Sequence, residues 1–222
     1  IVVMHDSDSK GVFAFVAPNK GECEYAVRRA TQDIDKIMGY KRFILKGDQE
    51  PALRTLMDRI AAMCGEQAEV EQVMQEETPV GDSQSNGSVE NGAGRVQGQY
   101  RRMKSDLESK YKGKVERDHP SLPWLVRHAA MTITRYGIGT DGMTPYRRLK
   151  GKRFNRETMQ FGECIWYLRP KSKGKDKGDS RWEEGIWLGV RDESGEHIVG
   201  NNEGVVKVRS VRSRGSEEDR WN

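Results

Sequence analysis

Apolar residues gather first in two short β-type runs, Ile1–Met4 and Val12–Ala17, with the turn-forming stretch His5-Asp-Ser-Asp-Ser-Lys-Gly11 between them. Runs joined this way pair most simply as an antiparallel hairpin. From Gly21 to Met38 the period changes: Ala26, Ala30, Ile34 and Ile37 recur at helical spacing, and Gly39 ends the helix. Phe43-Ile-Leu45 predicts a short buried strand over Lys41–Lys46. The turn Gly47-Asp48-Gln-Glu50-Pro51 leads into a helix to about Cys64, with Leu53, Leu56, Met57 and Ile60 on one face. Ala68–Met74 alternates Val70 and Val73 with acids and reads as a last strand. A polar loop follows, then a long helix over 85–112 whose apolar positions include Val89, Val96, Tyr100, Met103 and Leu107. His119–Pro123 breaks the chain before an amphipathic helix, Leu122–Tyr136. Gly137–Thr144 closes that helix, and Thr144-Pro145-Tyr146 begins a short helical turn. The order β-β-α-β-α-β-α-α indicates an α/β or α+β layered fold.

The pattern then shortens. Phe161–Leu168, Glu184–Val190, Glu196–Val199 and Val205–Val211 read as strands separated by Gly, Asp, Asn and Lys turns, a small all-β module. The expected organisation is a domain over 1–150, a linker over 151–160, the β module over 161–213 and a polar tail over 214–222. Trp166, Trp182 and Trp187 are expected in the module's core, and Trp124 and His128 as helix-packing residues.

Composition adds a setting. The chain has 222 residues, a net charge of +4 and 32% charged positions. Its mean hydropathy of −0.84 suits a soluble protein with a modest core. No run approaches the length of a membrane span, and the amino terminus is not a signal peptide. Because Ile1-Val-Val-Met4 opens directly in a strand, the chain is expected to start inside a domain. Cys23, Cys64 and Cys164 stand far apart without a CxxC, which predicts small buried thiols and a reducing intracellular compartment.

Charge distribution says more than net charge. Residues 66–90 hold seven acids and no Lys or Arg; 95–117 hold eight bases and three acids; 150–178 hold nine bases and three acids. An acidic cluster followed by basic surfaces suits a metal-dependent site working on a polyanion. Asp48 follows a central strand and Glu90 falls in the first turns of a helix behind the polar loop Pro79–Gly87, where Asp82, Ser83, Ser85 or Asn86 can cap. Two such carboxylates can share Mg²⁺, a hard cation that takes oxygen ligands. The plainer readings are a turn Asp capping the helix at Pro51 and a solvated first-turn Glu favoured by the helix dipole.

Three stretches together resemble the catalytic core of retroviral and retrotransposon integrases of the copia-type Pol polyprotein. Val2–Phe15 resembles two paired strands of that core, Leu45-Lys-Gly-Asp48-Gln-Glu-Pro the strand ending in its second catalytic Asp, and Gln84-Ser-Asn-Gly-Ser-Val-Glu90-Asn its mobile loop and catalytic Glu. Gly162 to Arg212 resembles the small barrel that follows the core in several members. The resemblance implies a ribonuclease-H-like mixed sheet with flanking helices, its first strand missing, followed by an SH3-like barrel. It implies Asp48 and Glu90 as catalytic and metal ligands for Mg²⁺ or Mn²⁺. It also implies joining of 3′-hydroxyl DNA ends to target DNA in the nucleus, by a homo-oligomer.

The departures are informative. The family's first catalytic acid lies on a strand that would precede Ile1, and Asp6 and Asp8 read as turn residues rather than its substitutes. The chain as it stands is therefore expected to bind metal poorly. Lysines that hold DNA ends in the family fall here at Gly94 and Gln97, with Gly92-Ala-Gly94 allowing close backbone approach instead. Arg95, Arg101, Arg102, Lys104, Lys150, Lys152, Arg153, Lys171, Lys173 and Lys175 are the expected DNA contacts. A non-catalytic DNA- or chromatin-binding remnant of a mobile element is the alternative, and a nuclease of ribonuclease-H-like fold the third.

Overall fold

The computed structural model describes residues 1–19, 21, 23–67, 69–77, 83–169, 178 and 180–221, with backbone alone at 83–86. The chain folds into two compact units, 1–98 with 130–154, and 99–129 with 155–222.

In the first unit β1 (Val2–His5) and β2 (Val12–Phe15) form the expected antiparallel hairpin, with Val3 opposite Ala14 and His5 opposite Val12. The turn is built by Asp6, whose carboxylate accepts from the Asp8 and Ser9 amides and the Ser9 hydroxyl, while Lys10 takes a left-handed conformation at φ 65°. All of β2 is buried. Its outer edge is closed by Thr134, whose hydroxyl accepts from the Val12 amide at 2.9 Å and donates to the Val12 carbonyl at 2.8 Å. A buried edge strand is satisfied there by one side chain.

Helix α1 (Glu24–Gln32) runs on as a π-helical segment, Asp33–Met38, which Gly39 ends in the left-handed region at φ 73°. Ala26, Ala30, Ile34 and Ile37 are buried, as their spacing requires. β3 (Arg42–Gly47), α2 (Pro51–Gly65) and β4 (Gln72–Glu77) make a parallel crossover with Ile44 opposite Met74. β4 lies a few residues later than its apolar run suggested. β3 is not the buried strand expected: Phe43 and Leu45 face inward, but Ile44 is 50% exposed and Met74 across from it 48%.

Both ladders lay one face on the α1–α2 layer, Val2, Met4 and Phe15 from the hairpin and Phe43, Leu45 and Val73 from the parallel pair. The expected single mixed sheet is present as two separate two-stranded sheets, because no described strand pairs with the outer edge of β1 or of β3. The first part of α3 (Ser83–Lys110), the last part of α4 (Leu122–Tyr136) and α5 (Pro145–Lys150) complete this unit.

The second unit is a five-stranded antiparallel sheet in the order β8-β7-β6-β5-β9. Its strands are β5 (Cys164–Leu168), β6 (Trp182–Val190), β7 (His197–Asn201), β8 (Gly204–Val208) and β9 (Val211–Ser213). A bulge between Trp187 and Gly189 bends β6. Ile165, Tyr167, Trp187, Val190, Val199 and Val208 form its core. Leu188 and Phe161 pack on Leu107, Leu122 and Leu125, so the end of α3 and the start of α4 belong to this unit.

The tail expected at 214–222 is not a free polar end. Arg220 makes two bonds of 2.9 Å to the fully buried carboxylate of Glu163, which also accepts from Ser213 and the Gln160 amide. Trp221 meets Tyr111 edge-on at 5.6 Å. All three cysteines are free thiols.

Candidate functional site

Asp48 stands one residue past β3, and the local packing explains its position. A Cβ on Gly47 would come within 2.4 Å of Met57 Sδ and 3.2 Å of Leu53, so a larger residue would have to displace the Met57 side chain under the strand end. Pro51 then starts the helix, with Glu50 rather than Asp48 at the N-cap. The Asp48 side chain is exposed. Glu90 is also exposed, on the second turn of α3. The helix is described from Ser83, so Ser85 and Asn86 lie within it rather than capping it, and Asp82 lies outside the described residues.

Asp48 and Glu90 offer the hard oxygen donors that Mg²⁺ takes. Among the described residues, no group of three or more His, Cys, Asp or Glu side chains is placed to hold a metal ion. A site on these two acids would therefore draw only two protein ligands from the described residues. Asp6 is no substitute: besides its turn bonds it accepts from the Tyr40 hydroxyl at 2.9 Å. Burial, and then that carboxylate, push the Tyr40 hydroxyl's pKa upward.

Along the part of α3 in the first unit, Glu90, Gly94 and Gln97 recur at i, i+4 and i+7 and share one exposed stripe; Arg101, in the second unit, is exposed as well. A Cβ on Gly94 would meet nothing within 4 Å, and one on Gly92 only His5 and Val12 at ordinary contact distance, so neither glycine is required by packing. Arg95 and Arg102 are exposed. Lys104 is tied into its own helix: its ammonium donates to Glu108 at 2.8 Å, and Glu108 also accepts from the Val115 amide. That exchange holds the Glu108 carboxyl below its ordinary range.

Lys150, Lys152 and Arg153 are exposed, Lys150 donating to the Lys36 carbonyl at 3.3 Å. The segment is anchored by Phe154, which meets Tyr136 and Tyr146 edge-on and lies 4.4 Å from the Arg135 guanidinium. Sequence reasoning missed this anchor, since the four residues are spread over 135–154 without a common period. Arg148 beside them is structural, bound to Asp141 and to the Ser9 carbonyl. Lys171, Lys173 and Lys175 lie outside the described residues.

Trp187 is core as expected, fully buried with its Nε1 donating to His197 Nδ1 at 3.1 Å. His128 packs on it edge-on, and Trp124 joins the Leu107–Leu188 cluster. Trp166 and Trp182 are not core. They are half-buried, because β5 alternates and sends Ile165 and Tyr167 inward instead. A groove of about 560 Å³ in the same unit is lined by Trp124, Ile186, Glu184 and Arg214 among others, and neither Asp48 nor Glu90 lines it. No helix of the described residues is long and apolar enough to cross a membrane.

No protein-family model and no curated protein matches the chain. Among solved structures it is similar to a chain of the simian T-cell lymphotropic virus intasome in complex with the PP2A regulatory subunit B56 gamma. The likeness has a TM-score of 0.50 at 15% identity and covers 95% of this chain and 70% of that one. At this identity it is a likeness of fold, an integrase-like arrangement of a mixed α/β unit and a five-stranded antiparallel sheet.

Proposed function

We propose that the chain is part of a retrotransposon integrase of the copia-type Pol polyprotein, a ribonuclease-H-like core with an SH3-like basic module, acting in the nucleus on element ends and target DNA as a homo-oligomer. The observation that carries the reading is the fold likeness along 95% of the chain. Asp48 at a strand end and Glu90 on the helix after the polar loop support it, because exposed carboxylates supply the kind of oxygen donor that a metal-dependent phosphoryl transfer uses.

In this reading the 3′-oxygen of a DNA end attacks a target phosphorus. A new P–O bond forms as the target's own P–O3′ bond breaks; the attacking hydroxyl gives its proton to solvent and the released 3′-oxygen takes one up to leave as a hydroxyl. Bound Mg²⁺ or Mn²⁺ would supply charge stabilisation at the attacking and leaving oxygens. Asp48 and Glu90 would hold the cation. Arg95, Arg101, Arg102, Lys150, Lys152 and Arg153 would neutralise phosphates in a salt-dependent, sequence-independent way.

The absence of a three-acid group among the described residues favours a second reading, a DNA- or chromatin-binding remnant in which the acids are idle. Strand transfer with a labelled duplex end separates the two, run in Mg²⁺ and Mn²⁺ on a chain extended upstream of Ile1. Joined product that disappears in Asp48→Asn and Glu90→Gln supports the transferase. DNA binding without product, equal in both variants, leaves the remnant. Cleavage without joining would indicate a nuclease.

A further inference from the structure

One face of the second unit has no part in the transferase reading. On β5, Cys164, Trp166 and Leu168 lie opposite the core face. β6 places Trp182 across from Leu168 and Glu184 across from Trp166, so the two tryptophans are diagonal neighbours on adjacent strands. Such positions are about 7–8 Å apart. β9 places Arg212 across from Trp166. The Arg212 guanidinium lies 4.2 Å from the centre of the Trp182 ring, and that of Arg214 5.9 Å from the Trp166 ring. From Gly204 to Arg214 the chain carries Lys207, Arg209, Arg212 and Arg214 and no carboxylate. On this face Glu184 opposes Trp166 and pairs with Arg214 at 3.6 Å.

We infer that this face binds unpaired nucleic acid, with neighbouring bases stacked on Trp166 and Trp182 and the backbone phosphates met by Arg212 and Arg214. The chemistry follows from the surface. Each indole is only partly buried, with an arginine over its ring, and the π surface it leaves accessible is one that every base can use regardless of sequence. Guanidinium groups beside it supply the charge that a phosphate backbone requires, and they stack on base planes as well. A duplex keeps its bases stacked on one another and offers only grooves and phosphates. It can use the arginines of this face but not its rings. The site lies within the second unit and does not depend on the first unit joining DNA.

The test uses the full chain and a fluorescein-labelled oligo(dT), with a duplex of the same length and a poly-glutamate peptide as comparisons, read by fluorescence anisotropy. Trp166→Ala and Trp182→Ala are each expected to weaken oligo(dT) binding by about 5- to 150-fold, with duplex affinity changed by less than about twofold. Trp166→Phe and Trp182→Phe should retain part of the affinity. Arg212→Ala should weaken oligo(dT) binding and reduce the salt dependence by about one counterion. Should the alanine variants fail to fold, the phenylalanine and Arg212 variants decide: unchanged oligo(dT) affinity in all of them overturns the site. So does equal loss on duplex and single strand, or poly-glutamate binding more tightly than oligo(dT), which would make the face an acidic-peptide surface.

Discussion

The two units differ in the reach of their buried ion pairs: in the first, the fully buried Asp33 carboxylate is held by Arg29 only four positions away. In the second unit a carboxylate with no exposure, Glu163, is held by Arg220 from 57 positions away, and a buried indole donates to a buried imidazole. In the first unit the acids of interest stand in solvent, on a turn and on a helix, beside ladders of only two strands. Buried pairs contribute rigidity because breaking one leaves a charge without water. Exposed acids contribute little to stability. The proposed metal site rests on exposed acids of the first unit, and the proposed nucleic-acid face on the sheet of the second.

The tryptophans give a direct way to test this contrast, since Trp124, Trp166, Trp182, Trp187 and Trp221 all lie in the second unit. Removing Arg220 would strand the Glu163 carboxylate. Arg220→Ala should destabilise the unfolding transition reported by tryptophan fluorescence by about 3–5 kcal/mol, and an unshifted midpoint in denaturant would break the comparison. Glycines separate the units less strongly. A Cβ at Gly185 would fall 2.4 Å from Val199 Cγ1 and 2.9 Å from the Gly200 carbonyl, so Gly185→Ala should destabilise the sheet by about 1–3 kcal/mol. Gly94→Ala, with nothing within 4 Å, should instead stabilise α3 by roughly 0.5–1 kcal/mol. Thermal melts of both variants check the pair, and equal signs would contradict the packing described.

Acid sharpens the same contrast. Burial holds the His197 imidazole below its ordinary value of 6.5, so the unfolded chain binds that proton more readily. This contribution is fully present above pH 6.5 and is lost as pH falls below it. Burial tends to raise the Glu163 carboxyl, but the Arg220 bonds, the Gln160 amide and Ser213 outweigh it and leave it below its ordinary 4.5. Its contribution is present above pH 4.5 and is lost as pH falls through its lowered value. The tryptophan-reported stability should fall in those two windows, and Arg220→Ala should abolish the lower one. The smallest effect belongs to the acids: Asp48→Asn and Glu90→Gln should change stability by no more than about 0.5 kcal/mol in a denaturant melt.

Much of the fold was legible where burial follows a local period. Ala26, Ala30, Ile34 and Ile37 line one buried face, and α4 runs over the residues its pattern marked. β3 was less legible, because Phe43-Ile-Leu45 is apolar throughout and only the structure shows which side lacks cover. The Glu163–Arg220 pair joins residues with no local signal between them. Trp166 and Trp182 look like core by composition, and their exposure depends on a strand phase that a run of Cys, Ile, Trp, Tyr and Leu does not reveal. Lys104 looks like a phosphate contact until its i+4 partner Glu108 is noticed, a signal the sequence does contain. Asp48 and Glu90 carry no periodic signal; motif resemblance singles them out, and both side chains are exposed.

The most direct measurement is Mn²⁺ titration of the isotope-labelled chain by amide NMR, since tryptophan fluorescence reports on the other unit. Paramagnetic broadening around Asp48 and around Glu90 at the same Mn²⁺ concentration, lost at both places in either Asp48→Asn or Glu90→Gln, is the expected result. Broadening at one acid that survives loss of the other, or none at either, would contradict a shared metal site in this chain.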